Sequence, residues 1–352
     1  MAQSHPVNIG FYNFYKVYNQ NRMFLDASST VGQNLAAPFV ELAKTLRQRG
    51  HQISTIDTAP LSSYDAVVFL DYPTRLNSLF RQLLYLPHVP RYLILNENAS
   101  IRPDNYDKRN HTPFRKVLTW NDDLVDGRKY WKCYLPVEFG VVPGSENRTR
   151  EKFCVLISNN KFSNHSADLY AERRAALDWF AEHAPESMEL YGEGWDRWFV
   201  PGLGFFFNAG LAAIYRRAPW LPRHESYPFC RGSTRQKRQI LANSKFSICY
   251  ENAIFPGYIT EKIFDCLFAG CVPVYMGAPN VTEYIPANAF IDRRKFTSEA
   301  ELFCYLKGMS EAEYLGYRKA IDDFLRSPEI RRFSSEAFSK LILEHVVGEI
   351  EK

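Results

Sequence analysis

Apolar and polar positions along the first third of the chain follow two alternating patterns. Short apolar runs at 7–12, 52–56, 66–70 and 91–95 read as strands. Between them, 38–49 places Phe39, Leu42, Ala43 and Leu46 on one helical face, with Gly50 to end it. The segment 76–86 repeats Leu76, Leu79, Phe80 and Leu83 at the same spacing, and 116–120 is a further strand. Beyond a Pro-, Gly- and Ser-bearing stretch at 136–150 the alternation resumes. It predicts strands at 153–157, 188–191, 246–250, 271–276 and 290–292, and helices at 168–183, 233–242, 259–269, 299–308, 311–325 and 334–349. Strand–helix alternation of this kind predicts an α/β fold with mostly parallel sheets. The expected organisation is an α/β domain over 1–145, a second over 151–330 and an amphipathic helix over 331–352.

Polar residues gather where the strand at 246–250 gives way to the helix at 259–269: Glu251, Asn252, Tyr258, Thr260, Glu261 and Lys262, with Gly257 as the break. In open α/β sheets the C-terminal ends of strands are where ligands bind. A helix N-terminus there offers N–H groups and a positive dipole end to an anion. Lys262 in the first turn opposes that dipole and suits a phosphate. A crossover that only packs needs none of these residues.

Composition narrows the class. Net charge is +4, too small to argue for nucleic acid, and 15% aromatic residues suit either sugar-binding surfaces or a well-filled core. The seven cysteines form no CxxC pair and stand at no metal spacing with histidine. No Asp-x-Asp flanked by apolar residues is present, so no metal–nucleotide site is expected. The stretch 198–232 is loaded with Phe, Tyr, Trp, Pro and Arg; it reads as an insertion packed on the body or as a membrane-facing surface. Arg235, Lys237 and Arg238 on the 233–242 helix read as a solvated face.

Two further residues are ambiguous on spacing alone. Glu97 follows the strand at 91–95 and is either an exposed turn residue or a carboxylate at the edge of the sheet. Arg173, next to Arg174 in the 168–183 helix, reads as an ordinary surface arginine.

The run Lys245-Phe-Ser-Ile-Cys-Tyr-Glu-Asn252 followed by Gly257-Tyr-Ile-Thr-Glu-Lys262 resembles the signature of the α-1,3/4-fucosyltransferases, glycosyltransferase family ten, of bacterial type. It departs at Ser244, where the family usually has an aromatic, and at Ala253, where it often has Ser. The resemblance is close over 229–292 and weaker back through Glu97. It implies two Rossmann-like domains facing across a cleft, the GT-B architecture, with acceptor bound by the first and GDP-fucose by the second. It implies an inverting transfer of L-fucose to an N-acetyllactosamine-type glycan, with an oligosaccharide or lipopolysaccharide-type acceptor. Glu97 takes the position of the catalytic base. Arg173 and Lys262 match cations on the donor diphosphate, and Asn252, Tyr258 and Glu261 match residues lining fucose and ribose; Glu261 also faces the charge developing on the sugar. No cofactor is expected, Mn²⁺ serving at most to speed GDP release. Absence of a leader or anchor sets the expectation of a cytoplasmic enzyme, with peripheral contact at the inner membrane face as a second reading. The alternatives are another nucleotide sugar, such as GDP-mannose, or a non-catalytic glycan-binding protein.

Overall fold

The computed structural model describes residues 5–25, 36–140, 149–197 and 210–351 apart from 212, 216, 219 and 224. Strand β3 (Ala66–Leu70) is buried on both faces. Ala66, Val68 and Leu70 enter one apolar cluster, while Val67 and Phe69 enter another. Its continuous apolar run is what a central parallel strand requires. Around it stand β1 (Asn8–Tyr12), β2 (Gln52–Thr55), β4 (Arg91–Leu95), β5 (Lys116–Thr119) and β6 (Tyr130–Lys132), in the order β2-β1-β3-β4-β5-β6. Every pairing is parallel. This sheet belongs to a unit formed by 1–138 and 330–352.

One face of the sheet is covered by the helices Ala37–Gln48 and Ser335–Ile342, where the Phe39 and Phe338 rings meet edge to face at 5.6 Å. The segment expected as a separate helix over 331–352 is therefore part of the first unit. Phe338, Ile342 and Val346 bury their apolar stripe in its core, and that burial decides the matter. The opposite face packs Phe69, Phe80 and Phe114, with centroids 5.5–5.7 Å apart. The helix carrying Phe80 runs Ser78–Leu84, shorter than its spacing predicts. Asn77 Oδ1 accepts the Phe80 N–H at 3.0 Å and caps the helix, leaving Leu76 outside it and 88% exposed.

The second unit, 139–329, holds a five-stranded parallel sheet. Its strands are β7 (Lys152–Ile157), β8 (Met188–Tyr191), β9 (Ser244–Tyr250), β10 (Val272–Met276) and β11 (Ile291–Asp292), in the order β11-β10-β9-β7-β8. The chain lays β8 on one side of β7 and then crosses to β9 on the other. The order reverses between β7 and β9, which makes their C-terminal ends the switch point of the sheet.

Candidate active site

Arg173 spans that switch point. It lies in the first turn of the helix Tyr170–His183 and is 3% exposed, not the surface residue its spacing suggests. Its Nη1 donates to Ser158 Oγ at 2.9 Å, just past β7. Its Nη2 donates to the Tyr250 carbonyl at 2.6 Å, at the end of β9, and to Asn252 Oδ1 at 3.1 Å. The guanidinium thus ties the two diverging strand ends together. Arg174 points elsewhere, its Nη1 donating to the Lys161 carbonyl at 3.0 Å.

Downstream of β9 the polar segment folds back on itself. Glu251 is fully buried. Its Oε1 accepts the Thr260 N–H at 2.8 Å and its Oε2 accepts Thr260 Oγ1 at 2.7 Å. Thr260 caps the helix Glu261–Phe268, its Oγ1 accepting the Lys262 N–H at 3.4 Å. Two N–H groups expected to face a ligand are thus already bonded within the protein, because a buried carboxylate needs donors. Gly277 makes room for Glu251: a Cβ there would lie 2.5 Å from Glu251 Cγ and 2.5 Å from the Tyr275 hydroxyl. Burial pushes the Glu251 carboxyl up, and Lys262 with the Thr260 donors pulls against it.

Lys262 Nζ lies 3.3 Å from Glu251 Oε2 and 3.5 Å from Glu261 Oε1. Burial works against its charge, but the two carboxylates outweigh burial and raise its pKa, so it is an ammonium at neutral pH. Glu261 is the open member of the group, with 55% of its side chain exposed. Desolvation lifts its carboxyl, while Lys262 and then Lys237 pull it further down, to about 2. Solvent at such a position screens the attraction and limits what it adds to stability. Tyr258 is 3% exposed, inside the fold.

Lys237 begins the short helix Lys237–Ala242 and does not belong to a solvated face. Its side chain is 17% exposed and its Nζ is ion-paired with Asp265. Arg173, Lys237 and Lys262 line one cavity of about 20 Å³, together with Ser158, Tyr250 and Cys266. That volume holds roughly one water. Three cations around a polar, water-sized hollow at a switch point form an anion-attracting site.

Glu97 stands in the first unit, two residues beyond β4, and is half-buried. Its backbone is held at both ends of the peptide: its N–H donates to Asp71 Oδ1 at 3.1 Å, and its carbonyl accepts Asn105 Nδ2 at 3.2 Å and the Tyr106 hydroxyl at 3.1 Å. The nearby acids are engaged. Asp104 pairs with Arg102 at 2.8 Å, and hydrogen bonds from Arg109 hold the Asp107 carboxyl down to about 2.

A model of the C-terminal domain of glycosyltransferase family 10 (fucosyltransferase) matches residues 223–327. The similarity to glycosyltransferase family 10 covers these residues, within the second unit. It is 37% identical over 84 residues to an α-(1,4)-fucosyltransferase of Arabidopsis thaliana, across 22% of this chain and 21% of that protein. It is 36% identical over 124 residues to the 4-galactosyl-N-acetylglucosaminide 3-alpha-L-fucosyltransferase 9 of Mus musculus, across 32% of this chain and 34% of that protein. These matches span about a third or less of the curated relatives. The fold resembles that of an α1,3-fucosyltransferase solved with GDP, with a TM-score of 0.53 and 17% identity over 98% of this chain and 93% of that one. The architecture is α/β, of the GT-B type.

Asn252, Tyr258, Glu261 and Lys262 lie inside the matched family 10 domain, as does Lys237; Arg173 and Glu97 lie outside it. The structure gathers Arg173, Asn252, Lys262 and Glu261 around the switch point of the second unit. Spacing did not single out Lys237, whose burial depends on Asp265 in a later helix. Residues 198–209, 212, 216, 219 and 224 of the stretch 198–232, where a membrane-facing surface was one reading, lie outside the described residues. Among the described residues no three His, Cys, Asp or Glu side chains are placed to hold a metal ion, and no helix is long and apolar enough to cross a membrane.

Proposed function

We propose that the chain transfers L-fucose from GDP-β-L-fucose to a glycan hydroxyl, with inversion at the anomeric carbon. The acceptor position we infer is O3 of GlcNAc in an N-acetyllactosamine-type glycan. The observation that carries the reading is the cation group Arg173, Lys237 and Lys262 at the switch point of the second unit, where the family 10 match supplies Lys237 and Lys262. The cavity is too small for a diphosphate, so GDP meets these cations from the solvent side, where Lys262 and Glu261 are reached. As the bond from the anomeric carbon to the β-phosphate oxygen breaks, negative charge grows on that oxygen. Fixed cations stabilise it there without reorganisation. Positive charge grows on the sugar, as in glycosidic cleavage generally, and the Glu261 carboxylate, ionised across the neutral range, offsets it. Glu97 takes the proton of the attacking hydroxyl, leaving GDP and the new α-fucoside. Its backbone, bonded at N–H and carbonyl, supports a fixed placement of the base.

The reading includes no required metal. Its test is incubation with GDP-fucose and a panel of N-acetyllactosamine and type 1 acceptors, with and without EDTA, and linkage mapping by NMR. An α1,3-fucosylated product in both conditions is expected. Transfer from GDP-mannose but not GDP-fucose, or activity lost in EDTA and restored only by metal, overturns it.

A further inference from the structure

We propose that Asp71 is a positioning residue for the transfer: its buried side chain fixes the backbone that carries Glu97. This rests on Glu97 acting as the base. Asp71 is the first residue beyond β3 and is 5% exposed. One oxygen, Oδ1, accepts three bonds: from the Asn96 N–H at 2.7 Å, the Glu97 N–H at 3.1 Å and Asn105 Nδ2 at 2.7 Å. The carboxylate therefore clamps both peptides that follow β4. Asn105 extends the clamp. It is fully buried; its Nδ2 also reaches the Glu97 carbonyl, its Oδ1 accepts the Tyr72 N–H at 2.8 Å, and its carbonyl accepts His111 Nε2 at 2.7 Å.

The turn after β3 takes two left-handed positions. Asp71 sits at φ 62° and Thr74 at φ 69°. A β-branched residue with positive φ is an outlier, and such strain collects at functional sites. A turn alone could be made by Gly or Asn at this position, since both take positive φ without bringing a charge. What the carboxylate adds is charge: hydrogen bonds to an ionised acceptor are roughly twice as strong as neutral ones. The charge is held against a cost. Burial pushes the Asp71 carboxyl up to about 6, against the Asn96, Glu97 and Asn105 donors and the Arg102 guanidinium. The groups facing it are Glu97 beyond β4, Arg102 and Tyr106 at the 3-10 turn Pro103–Tyr106, and Tyr15 beyond β1. The folded state thus binds this proton more readily than the unfolded chain. Stability falls as pH rises through the interval from 3.8 to about 6, and above it the ionised group is a net cost to the fold. A residue that costs stability at neutral pH while gripping the base is expected to separate activity from stability when it is replaced.

The experiment uses Asp71→Asn, which tolerates positive φ and keeps an acceptor oxygen, alone and combined with Glu97→Gln; Asp71→Ala is the second variant. Steady-state transfer at pH 7.5 and thermal unfolding are measured on each. For Asp71→Asn the expected result is kcat down about 10–100-fold, since misplacing a catalytic group by about 1 Å costs up to this order. KM for GDP-fucose stays within about twofold, and Tm is no lower than that of the unaltered chain. The double variant retains the residual rate of Glu97→Gln alone, because both changes act through one group. Full activity in Asp71→Asn or in Asp71→Ala, additive losses in the double variant, or a loss that tracks a fall in Tm overturns the proposal. Full activity in Glu97→Gln removes the base reading, and this inference with it. An inactive Glu97→Gln beside a fully active Asp71→Asn removes the inference alone.

Discussion

Lys262 Nζ rests 3.3 Å from Oε2 of Glu251, a carboxylate with no exposed surface. The pair sets the character of the site. A lysine on a flexible stem is a mobile charge, and Glu251 removes that mobility. Glu251 is in turn tied to Thr260 N–H and Oγ1, so the ammonium, the helix cap and the end of β9 form one unit. The arrangement exchanges desolvation for order, as buried ion pairs do.

Replacing Lys262 by Ala removes a cation from the donor site and leaves Glu251 buried without its partner. GDP affinity is expected to fall about 10–100-fold, the range for a lost charge-assisted bond. Tm falls as well. Lys262→Met combined with Glu251→Gln separates the two effects: Tm recovers toward the starting value while GDP affinity stays low. Titration calorimetry with GDP and thermal unfolding decide it. Unchanged GDP affinity in folded Lys262→Ala takes Lys262 out of the donor site.

Gly277 tests the same pair from behind. A methyl group there meets Glu251 Cγ and the Tyr275 hydroxyl, both at 2.5 Å, and neither belongs to the free end of an exposed side chain. Gly277→Ala is expected to displace Glu251 and lower Tm by several degrees, overpacking of a core costing about 1–3 kcal/mol. GDP affinity falls with it although residue 277 carries no charge. A variant that unfolds and binds GDP like the unaltered chain shows that Glu251 is not held by this contact.

Local pattern announced the elements well where their signals are local. The helix Glu299–Gly308 begins and ends where expected, because Ser298 Oγ accepts the Glu301 N–H at 3.1 Å and the chain turns to extended backbone at Met309. β6 (Tyr130–Lys132) passed unnoticed, since Tyr-Trp-Lys at the edge of a sheet shows neither an apolar run nor an alternation. The site was legible as a motif but not in full. Arg173 reads as exposed because nothing near it in sequence predicts the Ser158 and Tyr250 partners that bury it. Lys237 fails for the same reason: its partner Asp265 is supplied by a helix that begins at Glu261.

Lys237 therefore carries its own prediction. Lys237→Met keeps the length of the stem and removes the charge. If Lys237 belongs to the cation group around the cavity, GDP affinity drops about tenfold, one partly compensated charge being worth roughly 1.5 kcal/mol. Arg235→Met, altered two residues earlier on a residue outside the cavity lining, serves as the reference. Equal GDP affinities for the two variants, by calorimetry at the same ionic strength, return Lys237 to the role of a structural ion pair with Asp265.

Glu97→Gln asks whether the first unit supplies the base. Gln preserves size and most hydrogen bonding but cannot accept the proton of the attacking hydroxyl. Bonds to its backbone N–H and carbonyl are kept in the variant, so the loop is expected to hold its place and Tm to change little. Transfer is expected to fall roughly 10²–10⁴-fold, the usual contribution of a positioned base. GDP affinity stays the same, because the cations expected to hold the diphosphate belong to the second unit. Asp104 and Asp107 are poor substitutes, one paired with Arg102 and the other held to about 2 by Arg109. A Glu97→Gln variant turning over within about threefold of the unaltered chain, a barrier change under roughly 1 kcal/mol, shows that the base lies elsewhere.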